Sequence, residues 1–318
     1  MKKTLKAALC SAVALLAGCV ETPSLAPSIL QTAWMDGSAA KADLAYVADG
    51  NGEVVVFNLS NDSLAGVLTR FNDPKGDCVD KKGDVFVADF GALKVDEYAH
   101  GGKKPIAVID TSPYQPYACS VDLKSGNLAV ANYGTTTKGA GNIAVYAHAT
   151  GQPVLYTDSS IANFEACGYD GQGDLLVSNG AAGEDGYSSF ALLANGGTQL
   201  TNVTLPGPSS GFAWREVDGI QWDGRYWTVD ESGATYRISI SHGIAYYVGH
   251  TYLDSGGGGP AWLYGGTAKK QATQALEADG EGDSAVYVWN YPAGGEPIAY
   301  LNQGLDEPFG VTVSPAAK

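Results

Sequence analysis

Residues 77–110 read DCVDKKGDVFVADFGALKVDEYAHGGKKPIAVID. They hold four short apolar or alternating runs, at Cys78-Val79-Asp80, 84–89, 94–98 and 105–110. Lys-Lys-Gly, Phe-Gly-Ala and His-Gly-Gly-Lys-Lys separate them, and short glycine-bearing connections of this kind join neighbouring antiparallel strands. The stretch therefore reads as a four-stranded meander. A single meander of about 35 residues cannot bury both of its faces, so it must stack on copies of itself.

The chain supplies those copies. The second run, Val85-Phe86-Val87-Ala88-Asp89, has counterparts in AYVAD ending at Asp49, LAVAN at Asn132, LLVSN at Asn179 and YWTVD at Asp230. The spacings of these acids and amides are 40, 43, 47 and 51, a repeat with loop insertions. The first run recurs around Cys119, Cys167 and Ile220. A divergent sixth copy follows in 261–264, 271–276, 284–289 and 297–301.

The first copy lacks its innermost strand, whereas Glu307-Pro308-Phe309-Gly310-Val311-Thr312-Val313 reads as an innermost strand with nothing after it. Placing that segment in the first copy closes a ring and abolishes the open sheet edges. The expected fold is all-β, a six-bladed β-propeller over residues 41–318 closed by a C-terminal strand that completes the first blade. A seven-bladed ring and an open solenoid are the rival architectures.

The N-terminus belongs to another class of segment. Lys2, Lys3 and Lys6 precede an apolar run over 7–17 that ends in Leu16-Ala17-Gly18-Cys19, the pattern of an export signal over residues 1–18. An apolar core of about a dozen residues is too short to span a bilayer. Leu-Ala-Gly-Cys resembles the lipobox of bacterial lipoproteins. That resemblance implies cleavage before Cys19 and fatty acylation of its thiol and amine, palmitate included. Val20 in place of Asp after the Cys implies outer-membrane sorting. The plainer alternative is a secretory signal in which Cys19 is incidental. Residues 19–40 then form the lipidated Cys and a tether with two prolines, and the expected location is the cell envelope, with the membrane as a partner through Cys19.

Removing the three signal lysines leaves 16 basic against 34 acidic residues, a formal net charge of −18. So acidic a chain repels polyphosphate, which excludes nucleic acid and anionic headgroups as partners. A protein or a neutral glycan fits better, bound by a monomer. With Cys10 lost and Cys19 acylated, Cys78, Cys119 and Cys167 remain. An odd number does not read as a disulfide framework. Small, weakly polar Cys on three successive first strands reads as packing at a crowded axis.

Repeats such as VFVAD…KVDEYAHGGKKPIA resemble bacterial NHL-type propellers and the wider superfamily of gluconolactonases and streptogramin lyases, over about residues 42–314. The likeness implies the fold but no single activity. In such a blade the residues leaving strand two and those leading into strand one meet at one channel mouth. The first group is Asp49, Asp89, Asn132, Asn179 and Asp230; the second includes Asp77, Tyr117, Glu165, Glu216, Asp218, Asp306 and Glu307. Asp49, Asp89, Asn132 and Asp218 are the candidate ligand-binding positions.

Oxygen ligands without thiolate or imidazole suit Ca²⁺ or Mg²⁺. The gluconolactonase resemblance implies one axial divalent ion, for which Glu165, Asn179 and Asp230 match in kind. The other reading of a repeat-end Asp or Asn is a turn cap bonded to nearby backbone. His100 and His148 end third strands on the opposite face and read as turn residues. No GxSxG elbow is present, and Ser255-Gly256-Gly257-Gly258-Gly259 has no following Lys-Ser/Thr. The functional expectation is a binding or interaction module; the alternative is a divalent-metal-dependent hydrolase or lyase.

Overall fold

The structure, a computed structural model, describes residues 32–179, 188–204, 217–231, 233–254, 261–264, 271–280 and 282–316. Blade one takes β1 (Trp34–Met35), β2 (Leu44–Asp49), β3 (Glu53–Asn58) and β4 (Ser63–Thr69). Blade two follows as β5 (Pro74–Val79), β6 (Val85–Asp89), β7 (Lys94–Tyr98) and β8 (Pro105–Asp110), and blade three as β9 (Tyr114–Val121), β10 (Leu128–Thr135), β11 (Ala140–Tyr146) and β12 (Val154–Tyr156). Blade four is β13 (Ala166–Tyr169), β14 (Leu175–Ser178), β15 (Phe190–Leu193) and β16 (Thr201–Val203), and blade five is β17 (Gly219–Trp222), β18 (Trp227–Glu231), β19 (Ala234–Ser241) and β20 (Ile244–Tyr252). Blade six is β21 (Ala261–Tyr264), β22 (Gln274–Asp279), β23 (Ala285–Asn290) and β24 (Ala299–Leu301). The last strand, β25 (Pro308–Ser314), returns to blade one and pairs with β2, so that sheet runs β1-β4-β3-β2-β25.

Six antiparallel sheets in a ring are thus closed as the sequence leads one to expect. The innermost strands β25, β5, β9, β13, β17 and β21 touch in succession, and β21 touches β25. Their approach is close. A Cβ built on Gly310 of β25 would lie 2.3 Å from the Lys75 carbonyl oxygen, and one on Gly76 of β5 would lie 2.7 Å from that of Tyr117. Glycine is required at these two points because neighbouring backbones leave no room for a side chain.

Strand-two runs are apolar on both faces for a reason of geometry. Successive strand side chains point to opposite faces, and here each face meets a different neighbour. Leu44 and Tyr46 pack with Val85 and Val87 of blade two. Ala45 and Val47 pack with Leu276 and Ala278 of blade six.

Three differences from the sequence reading matter. Trp34 and Met35, assigned above to the tether, pair with Val67 and Gly66 and add a fifth strand to blade one, whose strands therefore begin at residue 34. The second strand of blade six starts at Gln274, three residues later than expected, which puts Asp279 at its end. The repeat-end acid therefore occurs a sixth time.

The third difference is a correction. Cys78 of β5 and Cys119 of β9 are not free packing thiols but form a disulfide, with Cα atoms 5.7 Å apart, and only Cys167 is free. The two occupy adjacent innermost strands whose close approach brings them within bridging reach. The odd count concealed one pair and one leftover. Cys167 is buried, and burial pushes its thiol up to about 12, which keeps it protonated and inert. Among the described residues no helix is long and apolar enough to cross a membrane.

Candidate functional site

The repeat-end acids and amides are clasps. Buried Asp49 accepts the backbone N–H of Asp306 at 2.8 Å and of Glu307 at 3.0 Å, tying the approach to β25 onto β2. Asp89 accepts the N–H groups of Asn72 at 2.9 Å and Ala92 at 3.3 Å, with Lys94 Nζ 3.7 Å away. Asp230 accepts from Thr235 Oγ1 at 2.8 Å and from Ala261 N at 3.2 Å. Asn179 accepts from Ser189 N, Asp279 from Gly282 N, and Asn132 donates to Asn142. Five of the six fix a loop or the first residues of an inner strand through a backbone N–H, whereas Asn132 bonds the Asn142 side chain of the paired strand β11.

This geometry redistributes the candidate residues. Asp49 turns both oxygens to backbone donors, and Asp89 turns Oδ1 to two of them, while its Oδ2 has only the Lys94 ammonium 3.7 Å away. Asp230 is fully engaged by Thr235 and Ala261, and burial first, then the charges of Glu277 and Asp218, hold its carboxyl well above the usual carboxylate range. Glu165 and Asp218 line the channel, whereas Asn179 and Asp230 are not part of that lining. Among the described residues no three His, Cys, Asp or Glu side chains come together as a metal-holding group. Glu216 and Cys19 lie outside the described residues.

The channel itself is lined by innermost strands of all six blades, including Asp77 of blade two, Tyr117 of blade three, Glu165 of blade four, Asp218 of blade five, Trp262 of blade six and Phe309 of blade one. Its volume is about 40 Å³, space for a few atoms. Trp262 packs both on the core between blades six and one and on the core holding Cys78 and Cys119, so its indole reaches across the axis. No Lys, Arg or His is among the described residues lining the channel.

One side of the mouth is aromatic. Tyr117 and Tyr133 stack with centroids 5.8 Å apart, Phe90 meets both edge-on at 6.1 Å, and Phe309 meets Tyr117 edge-on at 5.4 Å. All four rings are half-buried. Lys75 places its ammonium 4.6 Å from the Phe309 centroid and 2.8 Å from Asp73, so this wall already holds one cation. Sequence reasoning passed over the wall although a signal was there. Phe90 and Tyr133 each directly follow a repeat-end residue, Asp89 and Asn132, where blade one has Gly50.

Asp77 sits below that wall. It is 6% exposed, and its carboxylate oxygens meet no hydrogen-bond donor beyond the residue's own backbone N–H. Burial pushes its carboxyl well above the usual range. Of the histidines, His100 bonds Ser314 Oγ through Nδ1 at 2.6 Å and His148 bonds the Ser125 carbonyl at 2.7 Å, both in turns after third strands.

No protein-family model matches this chain, and no curated protein does. Solved structures resemble it in fold. A chain of a nidogen/laminin complex superposes with a TM-score of 0.64 at 11% identity, covering 87% of this chain and 99% of that one. A protein of unknown function from Bacteroides caccae gives 0.62 at 12%, covering 86% and 99%. The β-propeller domain of Cps50 (Swd1) from Myceliophteria thermophila gives 0.54 at 11%, covering 88% of each chain. The β-propeller is common ground; at these identities the likeness carries the fold alone.

Proposed function

We propose that this chain is an exported, lipid-anchored β-propeller that acts as a binding module at the cell envelope, with the channel mouth as its binding surface. One observation carries the reading. The mouth combines a half-exposed aromatic wall with Asp77, a buried carboxyl that no other residue of the chain hydrogen-bonds. A buried polar group without a partner costs free energy, and local violations of this kind concentrate where a protein meets something else.

The architecture supports the general reading, since propellers serve widely as platforms for binding. The Cys78–Cys119 bridge supports export, because structural disulfides persist in oxidising compartments. The charged start, apolar run and Leu-Ala-Gly-Cys box support the acylated anchor at Cys19. The test is fractionation of cells expressing the full chain. Cys19→Ser moves the protein from the membrane to the soluble fraction; unchanged membrane association contradicts the anchor.

A further inference from the structure

We propose that the channel mouth binds a protonated alkylamine, the ammonium on a methylene stem that a lysine side chain or a free diamine carries. This rests on the binding-module reading above and names its ligand class.

Charge selects the sign. Asp77, Glu165 and Asp218 reach the channel from blades two, four and five, and no basic side chain among the described residues lines it. Burial alone favours the neutral Asp77 carboxyl, and an ammonium beside it favours the ionised form, which accepts hydrogen bonds and cannot donate them. A lining rich in acceptors, in a chain of net charge −15, favours a donor-rich cation over an anion or a neutral polyol.

Spacing selects an ammonium over a metal ion. A divalent ion gathers several oxygens within about 2.0–2.6 Å of one point, and the described residues form no such group. An ammonium needs no such group, since each of its three N–H donors takes one acceptor at about 2.7–3.2 Å.

Shape selects the stem. The passage is small, about 40 Å³, enough for a few methylenes. Tyr117, Trp262 and Phe309, which line it, offer apolar surface for those methylenes and a negative quadrupole for the charge. Lys75, 4.6 Å over Phe309, is an ammonium of the chain itself held in this manner. Asp77 lines the passage with neither oxygen bonded by another residue, so an incoming ammonium supplies the donors it lacks.

The experiment is calorimetric titration of the full chain, purified in detergent, with N-acetyl-lysine methylamide, with 1,5-diaminopentane and with the uncharged N-acetyl-norleucine methylamide. Saturable binding of an amine at one site per chain, with none of the norleucine compound, is the expected result. A preference for the lysine amide assigns the ammonium to a polypeptide partner, and a preference for the diamine to a free amine. Asp77→Asn weakens amine binding about ten- to a hundredfold. Glu165→Gln, at a half-buried position, weakens it as well and serves should Asp77→Asn not fold. Binding of neither amine, equal binding of the norleucine compound, or amine binding unchanged in the folded variants overturns the assignment. A chain that fractionates with membranes yet ignores amines fails only here; one that binds amines but is soluble fails only in its anchor.

Discussion

Asp49 at the end of β2 accepts the backbone N–H of Glu307, 258 positions later, at 3.0 Å, and so holds the two ends of the ring together. The same carboxylate also takes the N–H of Asp306. Two charge-assisted bonds to one buried carboxylate make this seam sensitive to that side chain. Asp49→Ala is expected to lower the unfolding free energy by about 3 kcal/mol, read by urea denaturation. Asp306→Ala, an exposed position, is expected to change it by less than about 0.5 kcal/mol. Equal effects would contradict the clasp.

Crowding of innermost backbones gives a second expectation. A Cβ on Gly310 meets the Lys75 carbonyl at 2.3 Å and the Gly76 Cα at 3.1 Å, both backbone atoms that cannot rotate away. Gly310→Ala therefore costs about 1–3 kcal/mol. Gly151→Ala, with open space around the Cβ but a positive φ of 74°, costs only the smaller strain of its conformation. Thermal unfolding of the two variants compares them directly.

The Cys78–Cys119 bridge closes a loop of sequence separation 41 between blades two and three. Chain-entropy arithmetic puts its stabilisation at about 4 kcal/mol, an upper figure for a bridge of this span. The double variant Cys78→Ser, Cys119→Ser is expected to unfold at lower urea. Mass spectrometry of the unreduced native chain should find that pair joined and Cys167 free.

Asp77 sets a pH dependence. Its folded-state carboxyl lies well above the usual range because burial disfavours the charge. The stability it allows is fully present below the unfolded Asp value of about 3.9 and is lost as pH rises through the folded value. Asp77→Asn cannot ionise. The variant should gain on the native chain as pH rises from about 4 toward 7, and parallel stability profiles over that range would contradict the assignment.

Much of this architecture was legible in residues that repeat. Val85-Phe86-Val87-Ala88-Asp89 and its relatives announce strands buried on both faces, and 308–313 announces the missing innermost strand. The sixth repeat-end residue, Asp279, was not legible because Gln271-Ala272-Thr273 resembles the Gln274-Ala275-Leu276 that follows it and hides where β22 begins. The disulfide was not legible, since whether two cysteines meet depends on the rotation between blades, which no linear spacing encodes. The clasps and the channel carboxylates are the same residue types in sequence. Only packing separates Asp49, turned to backbone donors, from Asp77, which lines the channel and is bonded by no other residue.

The central claim is that the channel mouth, not the outer rim of the blades, is the binding surface. It is tested most directly by replacing one side chain at a time with p-benzoyl-phenylalanine and irradiating intact cells. Substitution at Phe90, half-buried in the mouth wall, is predicted to give a discrete cross-linked envelope adduct, and substitution at Tyr246, 50% exposed on the outermost strand of blade five, to give none. Adducts at Tyr246 with none at Phe90 would contradict the account.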